Sequence, residues 1–225
     1  MQLSGIEIIY EGLNLQRILY GLWITVRIAL ISIVISVFFG IIMGVLMSSK
    51  NIFLRFICKV YLETIRIIPI LVWLFIFYYI IAKQFDIRLN AETTSILVFS
   101  LWGIAEMGDL VRGAITSLPV SQRQSALALG LNSFQTYIYV IIPQAVRRLV
   151  PAAINLATRM IKTTPLVYMI GIIEVVKVGQ QIIEASVLTN HLAPFWIYGF
   201  IFILYFLVCY PISLASKKLE EKWQS

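Results

Sequence analysis

From Ile28 to Ser49 the chain runs 22 residues without one charged side chain. As an α-helix that stretch is about 33 Å long, enough to cross the hydrocarbon of a bilayer. Ile67 to Ala82 supplies 16 more uncharged residues, and Ala185 to Ser216 contains no Asp, Glu, Lys or Arg, with its apolar part running from Pro194 to Ala215. Composition agrees: 60% of the 225 residues are hydrophobic and 13% charged, where soluble domains carry about 45–50% and about 25%. A water-soluble core of this size could not hide that apolar surplus, and the rest would form large exposed patches. An ordinary soluble enzyme, a disordered segment and a disulfide scaffold are excluded. Cys58 and Cys209 stand far apart, and His191 is the one histidine, so no metal or disulfide framework is expected.

Two weaker stretches complete the count. Thr93 to Ala105 reaches full length only by taking in Glu106, Asp109 and Arg112, and Ala152 to Val176 carries Arg159, Lys162 and Glu174. The expected fold is an all-α membrane protein with five transmembrane helices at about 20–48, 56–82, 93–115, 151–176 and 194–216. Residues 1–19 are expected as an extracytoplasmic amphipathic segment, in which 6–20, apolar at helical spacing among Glu7, Glu11 and Arg17, forms a helix lying on the outer surface before the first span. No cleavable signal peptide is expected, because no basic n-region precedes the first apolar run.

Orientation follows from the loop charges. One set of loops holds Lys50, Arg55, Lys59, Arg112, Arg123, Arg147, Arg148, Lys217, Lys218 and Lys222; the other holds Arg17, Lys83, Arg88 and Lys177. The richer side is expected to be cytoplasmic, with the N-terminus outside and the C-terminus, including the tail 217–225, inside. The net charge of +7 is then a topology signal. Its residues do not cluster on one soluble face, so nucleic acid is not an expected partner.

The longest segment between spans, 116–150, is the informative one. Pro119 ends the third span. Ser121 with Gln124 has capping-box spacing and predicts a short helix from Gln122 to Leu129, stopped by Gly130. Asn132 with Gln135 repeats the pattern and opens a second helix through Tyr137 to Ile141, broken at Pro143. The first helix presents Ala126, Leu127, Ala128 and Leu129, a small apolar knob suited to a groove on another protein or to packing on its own bundle.

At this loop the match to known proteins becomes specific. Gln124-Ser125-Ala126, three residues, Gly130, nine residues and Val140-Ile141-Ile142-Pro143 resemble the EAA-x3-G-x9-I-x-LP motif. That motif marks membrane subunits of binding-protein-dependent ABC importers. Pro143-Gln144-Ala145, Arg147, Pro151, Asn155 and Lys162-Thr163-Thr164 are similar to the polar amino acid permeases in particular, as are Glu63 to Val72 and Asp109 to Ile115. The sequence departs from the pattern at Gln124 (usually Glu), Ser125 (usually Ala), Ile67 (usually Gly), Pro165 and Glu106. The resemblance implies a permease subunit, not an enzyme, in a bacterial cytoplasmic membrane. It implies pairing with itself or a close paralogue, and a separate ABC ATPase dimer that holds ATP and Mg, since this chain has no GxxxxGK[ST] loop. It also implies an extracytoplasmic solute-binding protein and an amino acid cargo. Coupling to the ATPase would fall to Ser121, Gln124, Ser125, Ala126, Leu127, Gly130 and Pro143.

Charges inside spans need partners or a wet cavity. Glu63 with Arg66 and Asp109 with Arg112 are spaced i,i+3 and are expected as structural ion pairs. Arg159 and Lys162 share that spacing with one sign. They call for an anionic partner: Glu106, a neighbour's carboxylate or that of a bound amino acid; otherwise they snorkel to the interface. Glu106, Asn155, Arg159, Lys162, Thr163 and Thr164 are the candidate substrate pathway. The Gly40-x-x-x-Gly44 pair is expected to let another helix of the same chain approach closely. The alternative function is a stand-alone secondary transporter or channel for a small polar solute.

Overall fold

The structure is a computed structural model that describes residues 5–81, 84, 90–186 and 188–224. The outer-loop residues Lys83 and Arg88 and the end of the second expected span, Ala82, lie outside the described residues. The chain divides into two compact units, one of 1–32, 70–99 and 159–211 and the other of 33–69, 100–158 and 212–225.

The helices are α1 (Asn14–Met47), α2 (Ile52–Ile67), α3 (Ile70–Phe75, continued by a π turn Ile76–Ile81), α4 (Ala91–Thr116) and α5 (Val120–Ala128). After them come α6 (Ser133–Thr136), a π turn Tyr137–Ile141, α7 (Ile142–Thr163), a 3-10 segment Thr164–Ile170, α8 (Val175–Ser186) and α9 (Ala193–Gln224). No strand occurs among the described residues. Among the described residues four runs are long and apolar enough to cross a membrane: Asn14–Met47, Ala91–Thr116, Ser133–Ile170 and Ala193–Trp223. A fifth exists only if α2 and the α3 run are counted as one bent span. The span expected over 56–82 is therefore not one straight helix but bends by 98° between Ile67 and Ile70. Pro69 has no N–H to donate and pushes the preceding residue out of the helical region, and Ile68 duly sits at φ −85°, ψ 125°.

The fourth span also differs from expectation. Helix begins at Ser133, where the Asn132–Gln135 box places it, but Pro143 does not break it. The π turn precedes Pro143, which is then the second residue of α7, where its missing donor costs little. At the far end Pro165 opens the 3-10 segment, and Gly171, at φ 94°, ends it. Glu174 consequently lies outside that run and belongs to the start of α8.

In the first unit, Ile8, Ile9, Ile18, Val175, Ile182 and Ile197 form one buried cluster. Of the helix expected over 6–20, residues 14–20 belong to α1, and the part before it is not helical throughout. Its single 3-10 turn, Ile6–Ile9, buries Ile8 and Ile9, and the Asn14 side chain donates to the Ile8 carbonyl at 2.8 Å. Glu174 is fully buried. Its carboxylate accepts from the Val176 and Lys177 amides at 3.0 and 2.8 Å and from the Thr25 hydroxyl at 3.4 Å. It caps α8 and ties it to α1, which comes close because a Cβ on Gly21 would stand 2.9 Å from the Val175 backbone. Glu174→Ala orphans two amides, at about 1–3 kcal/mol. Thermal unfolding in detergent should show a lower midpoint for Glu174→Ala than for Glu174→Gln, which keeps an acceptor.

In the second unit, α1 lies on α4 through small residues. A Cβ on Gly44 would stand 2.6 Å from the Gly108 carbonyl oxygen, and one on Gly40 2.5 Å from Met107 Cβ. Gly40 and Gly44 therefore serve packing within the chain. Met107, Val111 and Leu156 form the neighbouring cluster.

Candidate functional site

Arg66, Glu106, Asp109 and Arg112 meet at α4. Asp109 accepts from Arg112 Nε at 2.9 Å, one turn along the same helix. Its other oxygen pairs with Arg66 Nη2 at 2.8 Å, and Arg66 Nε donates to Glu106 at 2.9 Å. One guanidinium thus bridges two carboxylates that i,i+3 spacing places on one face of α4. The Glu63–Arg66 pair expected from spacing does not form. Arg66 turns instead to Glu106 and Asp109, whose side chains are 15% and 20% exposed. Opposite charges attract more strongly where less water screens them. Glu63 is left exposed on the wall of an adjoining cleft of about 680 Å³. Arg55, Lys59, Arg66, Arg112 and Ser48 also line it.

Glu106 pairs with Arg66. Arg159 and Lys162 belong to the other unit, both exposed, and Asn155, in the second unit, is exposed as well. Thr163 and Thr164 spend their hydroxyls on their own backbone, donating to the Arg159 and Ile161 carbonyls at 2.8 and 2.6 Å. Thr164 is fully buried.

In the segment after α4, the expected Ser121 cap is corrected. Pro119 is the N-cap residue of α5, with no side-chain cap, and Ser121 falls within the first turn, as do Gln122 and Arg123. Proline's fixed φ of −59° already sets the chain for helix entry. Gln124 and Ser125 follow on α5; Ala126 is buried at 4% exposure, while Leu127 and Leu129 stand out at 43% and 84%. The helix closes in a Schellman motif: the Leu131 amide donates to the Ala126 carbonyl and the Gly130 amide to that of Leu127. Gly130 adopts φ 86° with nothing within 4 Å of where a Cβ would stand. Conformation, not space, demands glycine there. Asn132 and Gln135 form a reciprocal capping box at 2.9 Å in each direction.

Sequence reasoning missed the bridging role of Arg66 and the capping role of Glu174. The first had a signal in the 106/109 spacing on α4. The second had one in a lone carboxylate that precedes two valines.

A multi-pass helical chain with charged clefts and a short helix exposed between spans has the features of a membrane transport subunit. The chain belongs to the family described as the binding-protein-dependent transport system inner membrane component, whose model matches residues 36–214. The glutamate transport system permease protein GluD of Corynebacterium glutamicum is 36% identical over 208 residues, 91% of this chain and 74% of that one. The probable glutamine ABC transporter permease protein GlnP of Bacillus subtilis is 30% identical over 94% of this chain and 95% of its own. In fold, the chain is similar to an amino acid ABC transporter solved with histidines, at TM-score 0.86 and 23% identity over 99% of this chain and all of that one. It is likewise similar to the inward-facing MetNI methionine transporter, at TM-score 0.71 and 16% identity over 93% and 97% of the two chains. The family member is a permease component and not an enzyme; its ATPase is a separate subunit, and binding-protein dependence implies a further partner.

Proposed function

We propose that this chain is the permease subunit of an ATP-driven importer of a polar amino acid in a bacterial cytoplasmic membrane, with its N-terminus outside and its C-terminus inside. The observation that carries the reading is the polar face of α7. Arg148, Asn155, Arg159 and Lys162 are all exposed, and at 100° per residue they fall within about 60° of one another on the helix. Such a stripe on a spanning helix cannot face lipid. A second permease copy or close paralogue covers it and leaves a wet path, along which the α7 residues Asn155, Arg159 and Lys162 meet the zwitterionic cargo; Thr163 and Thr164 shape the helix there. The exposed α5, with Ser121, Gln124, Ser125, Ala126 and Leu127, docks in a groove of an ABC ATPase dimer that holds ATP and Mg. Gly130 and Pro143 keep the angle between α5 and α7. A solute-binding protein delivers the amino acid from outside. The names of the relatives, carriers of glutamate and glutamine, support an amino acid cargo.

The test is uptake of labelled L-glutamate, L-glutamine and L-cystine into proteoliposomes holding the permease with its ATPase and binding protein. ATP-dependent uptake of one of them is expected, reduced in Gly130→Val, whose backbone is strained by about 1 kcal/mol or more at φ 86°, and reduced less in Gly130→Asn. Uptake that persists without any ATPase would replace this reading with a stand-alone transporter.

A further inference from the structure

We infer that Arg148 and Gln144, at the start of α7, form a strut that makes the exposed helix α5 move as one body with α7; this rests on the coupling role proposed above for α5. The backbone joins α5 to α7 only by a detour: the Gly130 corner, the four-residue α6 and the π turn. Each is a place where a pull on α5 could be absorbed by local rotation rather than passed on. Two side chains cross that detour directly. Arg148 Nη1 donates to the carbonyl and hydroxyl of Ser117 at 3.0 and 2.8 Å, just past the end of α4 and two residues before the N-cap of α5. A guanidinium there also suits the negative end of the α4 dipole. Gln144 Nε2 donates to the Gln122 side chain on α5 at 3.3 Å and to the Val140 carbonyl in the π turn at 2.9 Å. Beneath them Ala114, Leu118, Ile141 and Ala145 form one buried cluster, a pivot of small and apolar residues.

Polar arms above an apolar pivot hold α5 by direction as well as by contact. Arg148 and Ser117 are exposed and Gln144 is half-buried, so these bonds add little to stability. Their expected weight lies in geometry. Arg148 and Gln144 are positioning residues, acting on the transported molecule only through α7.

The experiment compares Arg148→Ala, Gln144→Ala, the double variant and Arg148→Lys in the reconstituted transporter, reading labelled amino acid taken up and ATP hydrolysed in the same vesicles. In the double variant, ATP consumed per amino acid should rise about fivefold, with an unchanged unfolding midpoint. Arg148→Lys, still able to donate to Ser117, should recover part of it. An unchanged ratio, or uptake and hydrolysis falling together, overturns the strut. Hydrogen exchange on the permease alone, in detergent, gives an arm independent of transport. Faster exchange of the α5 amides in the double variant supports the strut, and unchanged exchange overturns it. If the wild type drives no uptake of any amino acid, the transport reading fails, and the exchange arm still decides the strut.

Discussion

Arg66→Met should be among the most destabilising single substitutions in this chain. It removes the group that bridges Glu106 and Asp109 at 2.9 and 2.8 Å. Asp109 keeps Arg112, but Glu106, 15% exposed, loses the guanidinium that offsets its charge. Removing one partner of a buried pair costs about 3–5 kcal/mol. Arg66 is 36% exposed, so screening lowers the expected loss here to about 1–3 kcal/mol. The cause is carboxylate charge left less compensated rather than lost packing, which makes the effect reversible by design. Arg66→Met combined with Glu106→Gln and Asp109→Asn should recover most of the unfolding midpoint. Arg66→Lys should recover only part, because an ammonium is a single point and cannot present Nε and Nη2 to two carboxylates at once. Thermal unfolding of the detergent-solubilised protein, followed by far-UV circular dichroism, measures all three. An Arg66→Met protein as stable as wild type would remove the network from any structural role.

Gly44→Val is the second large effect. Even its Cβ would stand 2.6 Å from the Gly108 carbonyl oxygen, a backbone atom that cannot swing away, and Val111 blocks the other side. Overpacking of this kind costs about 1–3 kcal/mol or more. Here it would also part α1 from α4 along the Gly40–Gly44 face. Gly113→Ala is the control: it lies in the same helix as Gly108 and has nothing within 4 Å of a built Cβ. With helical backbone and open space, alanine there should raise stability by about 0.4–1 kcal/mol. A midpoint for Gly44→Val equal to that of Gly113→Ala would show that α1 and α4 do not meet as described.

Much of the fold was legible because its causes are local. The uncharged run from Ile28 to Ser49 lies within α1 up to the helix's last residue, Met47, and Ala193–Gln224 takes in the last expected span. The Asn132–Gln135 box and the Gly130 stop depend on backbone dihedrals and on neighbours three residues away. The differences share another cause. Apolar residues flank Pro69 on both sides, so hydropathy runs through it, although its geometry divides the span. Proline chemistry alone makes Pro143 a helix break, and its tolerance depends on the π turn before it, which no residue pattern announces. Spacing alone makes Ser121 a cap, although Pro119 already sets the entry.

The charged residues show the boundary most clearly. By itself, the sequence determined that the chain lives in a bilayer, that five apolar stretches compete to cross it, and that a short exposed helix follows the third. Hydrophobic transfer and capping are summed over neighbours in the chain, so order along the chain suffices to read them. Which acid Arg66 would choose was decided only by tertiary structure. Glu63 is three residues away and Glu106 is forty, and sequence distance favours the first. Packing α2 against α4 reverses that order by bringing two less-solvated carboxylates within reach, and Coulomb attraction follows distance and screening in space. The same holds for Glu174, whose role as a cap exists only because the chain turns at Gly171 and brings Thr25 and Gly21 against it.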